Sequence, residues 1–393
     1  MTTSAQDLFA LTEEDLVAAA GRHGTPCFVY DLRAARDRWE ALRQALPGRV
    51  RLAYAVKSNP GIPLLETFAA QGAWFDCASA GEVSAVLAAG GTGSGMVFAG
   101  PAKSQRDLQA AVYAGARVQV DGIEDVQRLH ALHADSGAEP LRVSVRVHPA
   151  SGIRESCAII GGVGPSAFGV DEEDLADFLT AARAYDRVAI TGLQVFSASN
   201  ELDPGVLLAN HRTALRIARA MRTEHGVDLE LIDLGGGLGI RYAAHEPSLD
   251  IHALGAGLER LLTEHDWFTG ELLLEPGRWL SGPCGVYLTR VVRVKESRGT
   301  RFALLEGGIN HLLRPLLTGQ SFPVTAPGRD GQRTTYTLAG PLCTSLDRVG
   351  SADLPVDLGP GDLLAFGQTG AYAVTQAMTH FLSHPEPGQH WIR

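Results

Sequence analysis

The sequence predicts an α/β protein: a closed (β/α)8 TIM-like barrel followed by a C-terminal β-domain. Three observations predict it. From residue 50 to about residue 275, short apolar strands, turns and alanine-rich amphipathic helices alternate, the pattern of parallel βα units. Eight strands can be delimited there, the number that closes such a barrel. After residue 280 the helical period stops, and β-branched runs between Gly/Pro turns take over. An open doubly wound sheet would also alternate. However, no GxGxxG follows the first strand, no GxxxxGK[ST] occurs, and Gly235-Gly236-Gly237-Leu238-Gly239 has a different spacing.

In chain order, a polar lead-in carries one helix, Glu13 to Arg22, and Thr25–Tyr30 forms a strand. Asp31 caps the next helix. The barrel strands are expected at Leu52–Val56, Ala73–Cys77, Met96–Ala99, Arg117–Val120, Arg142–Val147, Ile190–Phe196, Leu229–Leu234 and Glu271–Leu274. Helices are expected over Gly81–Ala89, Gln105–Ala114, Ile123–Ala134, Glu172–Ala184, Pro204–Glu224 and Leu249–Glu264. Val286–Val294, Arg301–Leu305, Thr334–Leu338 and Asp362–Phe366 are strands of the β-domain, completed by the early Phe28–Tyr30 strand. The expected boundaries are residues 1–30 for the segment joining the β-domain, 31–278 for the barrel and 279–393 for the β-domain.

Composition excludes several function classes. Apolar residues at 45% and charged residues at 20% fit a globular fold with a large core. A net charge of -10 without any Lys/Arg run argues against a nucleic-acid or anionic-membrane partner. No apolar run approaches the ~20 residues of a membrane helix. Met1–Asp7 lacks the basic start and apolar core of a signal peptide. The five cysteines (Cys27, Cys77, Cys157, Cys284, Cys343) are scattered, which fits a reducing cytoplasm and neither a disulfide framework nor a structural zinc site. No metal site is expected.

The chemistry gathers just past the strands, where a barrel builds its site. There the sequence places Lys57, Asp76, Asp121, Arg146, the segment from Phe196 to Ser199, Gly235–Gly237 and Glu275. Lys57 ends the apolar run Leu52–Val56 before a Ser-Asn-Pro-Gly turn. Partial desolvation at a strand mouth lowers an amine's pKa toward nucleophilicity, although a surface lysine after a strand would read the same way. Gly235-Gly236-Gly237 after Ile232-Asp233-Leu234 lets backbone N–H groups approach a phosphate, or simply makes a tight turn. Arg278 follows the neighbouring strand and would bind the same phosphate, or sit in a surface ion pair. A lysine, a phosphate cradle and a carboxylate at one mouth point to pyridoxal 5'-phosphate. Glu275 would keep the pyridine nitrogen protonated and the ring a strong electron sink.

Six ordered motifs carry a resemblance: Tyr54-Ala55-Val56-Lys57-Ser58-Asn59-Pro60, Phe75–Glu82, Asp233-Leu234-Gly235-Gly236-Gly237, Glu275-Pro276-Gly277-Arg278, Gly340-Pro341-Leu342-Cys343 and Gly370-Ala371-Tyr372. Over about residues 25 to 385 the chain resembles the fold type III pyridoxal-phosphate decarboxylases, relatives of diaminopimelate and ornithine decarboxylase with an alanine racemase-like fold. The resemblance implies that Lys57 is the Schiff-base lysine. It implies Gly235, Gly236, Gly237, Arg278, Ser199 and Tyr372 as phosphate ligands and Glu275 as the pyridine-nitrogen partner. Asp76 and Arg146 become a supporting pair near the ring, with Glu82 behind them. Cys343 matches the cysteine that protonates the α-carbon, reaching the site from the other subunit, so a homodimer with shared active sites is implied. A small buried hydrophobe is the alternative for that cysteine.

Departures from the family pattern bear on the substrate. Phe196 stands where the best-known members stack a histidine on the ring. Thr344 stands where diaminopimelate enzymes carry glutamate and ornithine enzymes aspartate, and Ala167 stands where lysine is frequent. Glu306 and His311 replace aspartates, and His311 joins Thr344 as a candidate substrate contact. Arg314, before Pro315, resembles the arginine that grips a substrate carboxylate; a helix-surface arginine is the alternative. These features resemble a subgroup in specialised biosynthesis that acts on modified or carrier-tethered amino acids. Two other readings stay open. An amino-acid racemase on the same barrel would usually place an arginine at the pyridine nitrogen, and a silent regulatory homologue would have lost Lys57, Cys343 or the phosphate ligands.

Overall fold

A computed structural model describes residues 8–134, 139–151, 164–196 and 198–393. The first helix, Glu13–His23, begins at a capping box. Thr12 Oγ1 accepts from the Asp15 N–H at 3.2 Å, and the Asp15 carboxylate accepts from the Thr12 N–H and hydroxyl. The buried strand β1 (Cys27–Asp31) follows. Asp31 caps helix Leu32–Ala45, its Oδ1 accepting from the Arg33 N–H at 2.9 Å.

The next strands are β2 (Val50–Ala55), β3 (Trp74–Cys77), β4 (Met96–Phe98), β5 (Arg117–Val120), β6 (Leu141–His148), β7 (Val170–Asp171), β8 (Val188–Gln194), β9 (Leu231–Asp233) and β10 (Glu271–Leu274). All pair in parallel. Neighbours run β5-β4-β3-β2-β10-β9-β8-β6, and β5 pairs with β6 through Gln119–Ser144 and Val120–Val145, which closes an eight-stranded ring. The two-residue β7 pairs in parallel with the end of β6. Each expected barrel strand and helix is present within a few residues. Closure also explains why the strands are near-continuous apolar runs: they are covered on both faces. Ala53, Val97, Leu231 and Leu273, from four strands, pack together inside the ring.

The remaining strands are β11 (Gly285–Ser297), β12 (Thr300–Leu305), β13 (Val324–Thr325), β14 (Arg333–Ala339), β15 (Arg348–Pro355), β16 (Leu363–Phe366) and β17 (Gly388–Ile392). They form a mixed sheet in the order β13-β16-β11-β12-β14-β15. β1 joins it, antiparallel to β11 (Phe28 opposite Tyr287) and parallel to β17 (Tyr30 opposite Trp391). Cys27, Val29, Val286, Leu288 and Ala365 form its core with Leu16 of the first helix and Leu11 just before it.

By its contacts the chain forms two compact units. One comprises the segment ending at Arg38, Ile240–Ser248 and Arg278–Arg393. The other comprises Trp39–Gly239 and Leu249–Gly277, and holds the barrel. Among the described residues, no helix is long and apolar enough to cross a membrane.

Candidate active site

In the barrel unit, β2 ends at Ala55 and passes into a single 3-10 turn, Val56–Ser58. That turn is fixed from inside. Tyr54 Oη donates to the Asn59 carbonyl at 3.0 Å, and Ser58 Oγ donates to the Ala55 carbonyl at 2.7 Å. Gly277 lies so close that a Cβ there would stand 3.0 Å from the Cβ atoms of Ala55 and Ser58. The result aims Lys57 Nζ at Asp76 Oδ2, 2.5 Å away at the end of β3. The Asp76 side chain is fully buried, and that of Lys57 is 35% exposed. A surface lysine is therefore excluded, because this one pairs with a buried carboxylate. The other carboxylate oxygen, Asp76 Oδ1, is buried without a hydrogen-bond partner among the described residues.

Two further carboxyls are buried among polar amides that the sequence did not flag. Gln119 Nε2 of β5 donates to Asp233 Oδ2 at 2.7 Å and to Glu275 Oε1 at 3.2 Å, and Gln194 Nε2 of β8 lies 3.5 Å from Glu275 Oε2. Asp233 Oδ1 also accepts from the Gly235 N–H at 2.9 Å. Burial pushes both carboxyls up, Asp233 well above the carboxylate range. Each is raised further by a neighbouring carboxylate, Asp233 by Glu275 and Glu275 by Asp76. The signal for Gln119 and Gln194 was present as a polar residue near the end of an otherwise apolar barrel strand.

The three glycines are demanded by close backbone approach. Gly235 has φ +71° and Gly237 φ +97°. A Cβ on Gly236 would meet the Glu275 carbonyl at 2.5 Å, and one on Gly237 the Ala198 carbonyl at 2.8 Å. A tight turn alone would not require this. Among the described residues, the N–H groups of Gly236 and Gly237 have no hydrogen-bond partner, and Gly236 is buried. Orphaned buried donors of this kind suit an anion.

The guanidinium of Arg146 lies over the rings of Phe168 at 4.5 Å and Phe196 at 5.7 Å. The Phe168 loop is tied down by Asp121, which accepts from the Gly169 N–H at 2.8 Å and pairs with buried Lys103 at 2.6 Å. Glu82 accepts from the Ala78 N–H at 2.6 Å, and burial raises its pKa to about 7. It fixes the turn after β3. Ser199 is partly buried, and Ser197 lies outside the described residues.

In the other unit, Arg278 and Arg314 are both buried, which excludes the surface readings for each. Tyr242, absent from the sequence reading, holds them together. Its hydroxyl accepts from Arg278 Nη1 at 2.6 Å, and its ring lies 4.9 Å below the Arg314 guanidinium. Arg278 also stacks on Tyr372, 4.6 Å away, which is itself held at φ +53°. Cys343 is exposed, so the buried-hydrophobe reading is excluded. Its loop is organised by buried Asp347, whose Oδ1 and Oδ2 each accept a backbone N–H at 2.7 Å, from Ile309 and Leu342. Thr344 is turned onto its own loop, its Oγ1 accepting from the Leu346 N–H at 3.2 Å. His311 lies in the same unit. It is buried, with Nδ1 2.8 Å from Tyr287 Oη, and burial lowers its pKa to about 4.

Comparison with known proteins decides the family. Residues 32–282 match the family model described as "Pyridoxal-dependent decarboxylase, pyridoxal binding domain". The chain belongs to this family. Diaminopimelate decarboxylase of Deinococcus radiodurans is 33% identical over 389 residues, covering 97% of this chain and 93% of the relative. The L-glutamyl-[BtrI acyl-carrier protein] decarboxylase of Niallia circulans is 28% identical over 390 residues, covering 96% and 91%. Among solved structures, diaminopimelate decarboxylase of Helicobacter pylori complexed with L-lysine superimposes with a TM-score of 0.85 at 25% identity, covering 97% and 94%.

The cofactor of this decarboxylase is pyridoxal phosphate, and the residues present fit it. Buried Glu275, held by Gln119, offers a carboxylate for a pyridinium N–H, and buried Asp76 pairs with the Lys57 ammonium. The unpartnered Gly236 and Gly237 N–H groups suit its phosphate. Among the described residues, no cluster of His, Cys, Asp or Glu has metal-binding geometry.

Proposed function

We propose that this decarboxylase removes the α-carboxylate of an amino acid whose side chain ends without a free ammonium, because that end is acylated or tethered to a carrier protein. Pyridoxal phosphate, when bound, supplies the electron sink for cleavage of the bond to the carboxylate. Lys57 holds the cofactor covalently, with Asp76 orienting its nitrogen. The N–H groups of Gly236 and Gly237, in the turn that Gly235 opens, would bind the phosphate with Ser199, Arg278 and Tyr372. Glu275, clamped by Gln119, carries the charge facing the ring nitrogen, and Phe196 with Arg146 forms a wall of the ring pocket. Arg314 grips a substrate carboxylate. Cys343 Sγ delivers a proton to the α-carbon from the opposite subunit of a homodimer. The scattered cysteines favour a cytoplasmic location.

The observation that carries the substrate assignment is Thr344. A threonine already bonded to its own loop offers no counter-charge to a distal ammonium, where the resemblance leads one to expect an acid. The relative that acts on a carrier-bound L-glutamyl group supports it. A second reading, free diaminopimelate, is favoured by the retained Arg314 and by the 33% identical relative. Purified holoenzyme, given free diaminopimelate, ornithine and lysine beside N-acylated and carrier-loaded amino acids, separates the two. A kcat/KM at least about tenfold higher for the capped substrates is expected, and a preference for free diaminopimelate overturns the assignment.

A further inference from the structure

At the end of the barrel away from Lys57, the strand starts enclose an open cavity of about 720 Å³. Its rim is unusually basic for a chain of net charge -10. Arg49 and Arg51 come from the entry to β2, Arg117 from β5 and Arg142 from β6, against only Glu230 and Glu271. Four guanidinium groups and two carboxylates leave a formal +2.

We infer that this cavity is a second binding site, for a small multivalent oxyanion of the diphosphate class. The carboxylates orient the arginines without exhausting them. Glu230 takes one nitrogen from Arg117 at 2.8 Å and one from Arg142 at 2.7 Å, and Glu271 takes Arg51 Nε at 2.9 Å. Arg117 Nη1 also reaches Thr191, and Arg49 Nη2 bonds the Phe268 and Gly270 carbonyls. Each guanidinium has five N–H donors, so most of the donors on these four side chains have no protein acceptor among the described residues. Planar forks held in place by partial pairing are what bidentate oxyanion recognition uses. The arginines stand at the starts of β2, β5 and β6, whose far ends lead to Lys57, Asp121 and Arg146, so a ligand here does not touch the catalytic groups. Trp74 lines the cavity and supplies an optical reporter.

The test titrates the holoenzyme, whose phosphate cradle is filled by cofactor, with sodium diphosphate at low ionic strength, following both heat and Trp74 emission. One site per chain with a Kd below about 1 mM is expected. Arg51→Gln with Arg142→Gln, both more than half exposed and so tolerated by the fold, should weaken binding by about tenfold or more. Glu271→Gln should tighten it, a sign that structural damage would not give. Trp74→Phe should abolish the emission change while the heat persists. No saturable binding, unchanged affinity in the double arginine variant, weakened binding in Glu271→Gln, or citrate binding as tightly as diphosphate would each overturn the inference.

Discussion

Asp347→Ala is the substitution that best tests how the Cys343 loop is held. The carboxylate is 3% exposed and caps two backbone N–H groups, from Ile309 and Leu342, at 2.7 Å each. Its place is tight, since a Cβ on Gly308 would lie 1.9 Å from Asp347 Oδ1. Orphaning a buried donor costs about 1–3 kcal/mol, so losing both acceptors costs about 2–6 kcal/mol, a large share of an ordinary domain's stability. Asp347→Asn keeps one acceptor oxygen and turns an NH2 toward the second N–H, so it should lose about half as much and remain folded. The assay combines urea denaturation, kcat and the alkylation rate of Cys343 followed on its own peptide by mass spectrometry. The asparagine variant should show a stability loss, a several-fold change in Cys343 alkylation and a kcat reduced about tenfold or more. Wild-type stability together with wild-type turnover would refute the reasoning.

Three other outcomes follow from the same geometry. Asp233 and Glu275 have folded-state pKa values above their unfolded ones, so the folded apoenzyme binds more protons above pH ~5 and should lose stability as pH rises. Melting temperatures read between about pH 7 and 8.5 avoid buried His211 and His311, lowered to about 4, whose contribution is lost on the acid side. Glu82, raised to about 7, adds to the slope in every form, so Asp233→Asn or bound cofactor should flatten it in part, and an equally steep slope in all three forms would contradict the raised carboxyl pair. Thr344→Glu should lower KM for free diaminopimelate or ornithine by about tenfold while leaving the folded state intact, and an unchanged KM would remove Thr344 from substrate choice. Mixing inactive Lys57→Ala and Cys343→Ala subunits should restore about a quarter of wild-type activity if each site draws on both chains, whereas no recovery would mean that it does not.

The barrel was legible because its two periodicities are strong: apolar runs covered on both faces, alternating with amphipathic helices. The elements that escaped are those whose stability comes from partners distant in sequence. β15 reads Arg348-Val349-Gly350-Ser351-Ala352-Asp353-Leu354-Pro355, with small and charged residues throughout, and it exists by pairing with β14 along Arg333–Ala339. β17 likewise depends on β1, some 360 residues earlier. Helix Ile62–Ala70 was hidden by Pro60-Gly61 and Pro63, which read as turn residues although Pro63 occupies the first helical turn. In the site, residues with distinctive chemistry at strand ends were readable: Lys57, Asp76, Glu275 and the triglycine. Their supports were not. Gln119, Tyr242 and Asp347 are ordinary in sequence and matter only because the fold brings them to a carboxyl pair, two arginines and two backbone donors.

The fate of the α-carbon tests the central claim most directly. Holoenzyme and a capped amino-acid substrate would be incubated in deuterated water and the products weighed by mass spectrometry. Loss of carbon dioxide with one deuterium delivered to the α-carbon, abolished by Lys57→Ala and strongly slowed by Cys343→Ala, is the predicted result. Deuterium exchange or inversion with the carboxylate retained would contradict it and identify a racemase on the same barrel.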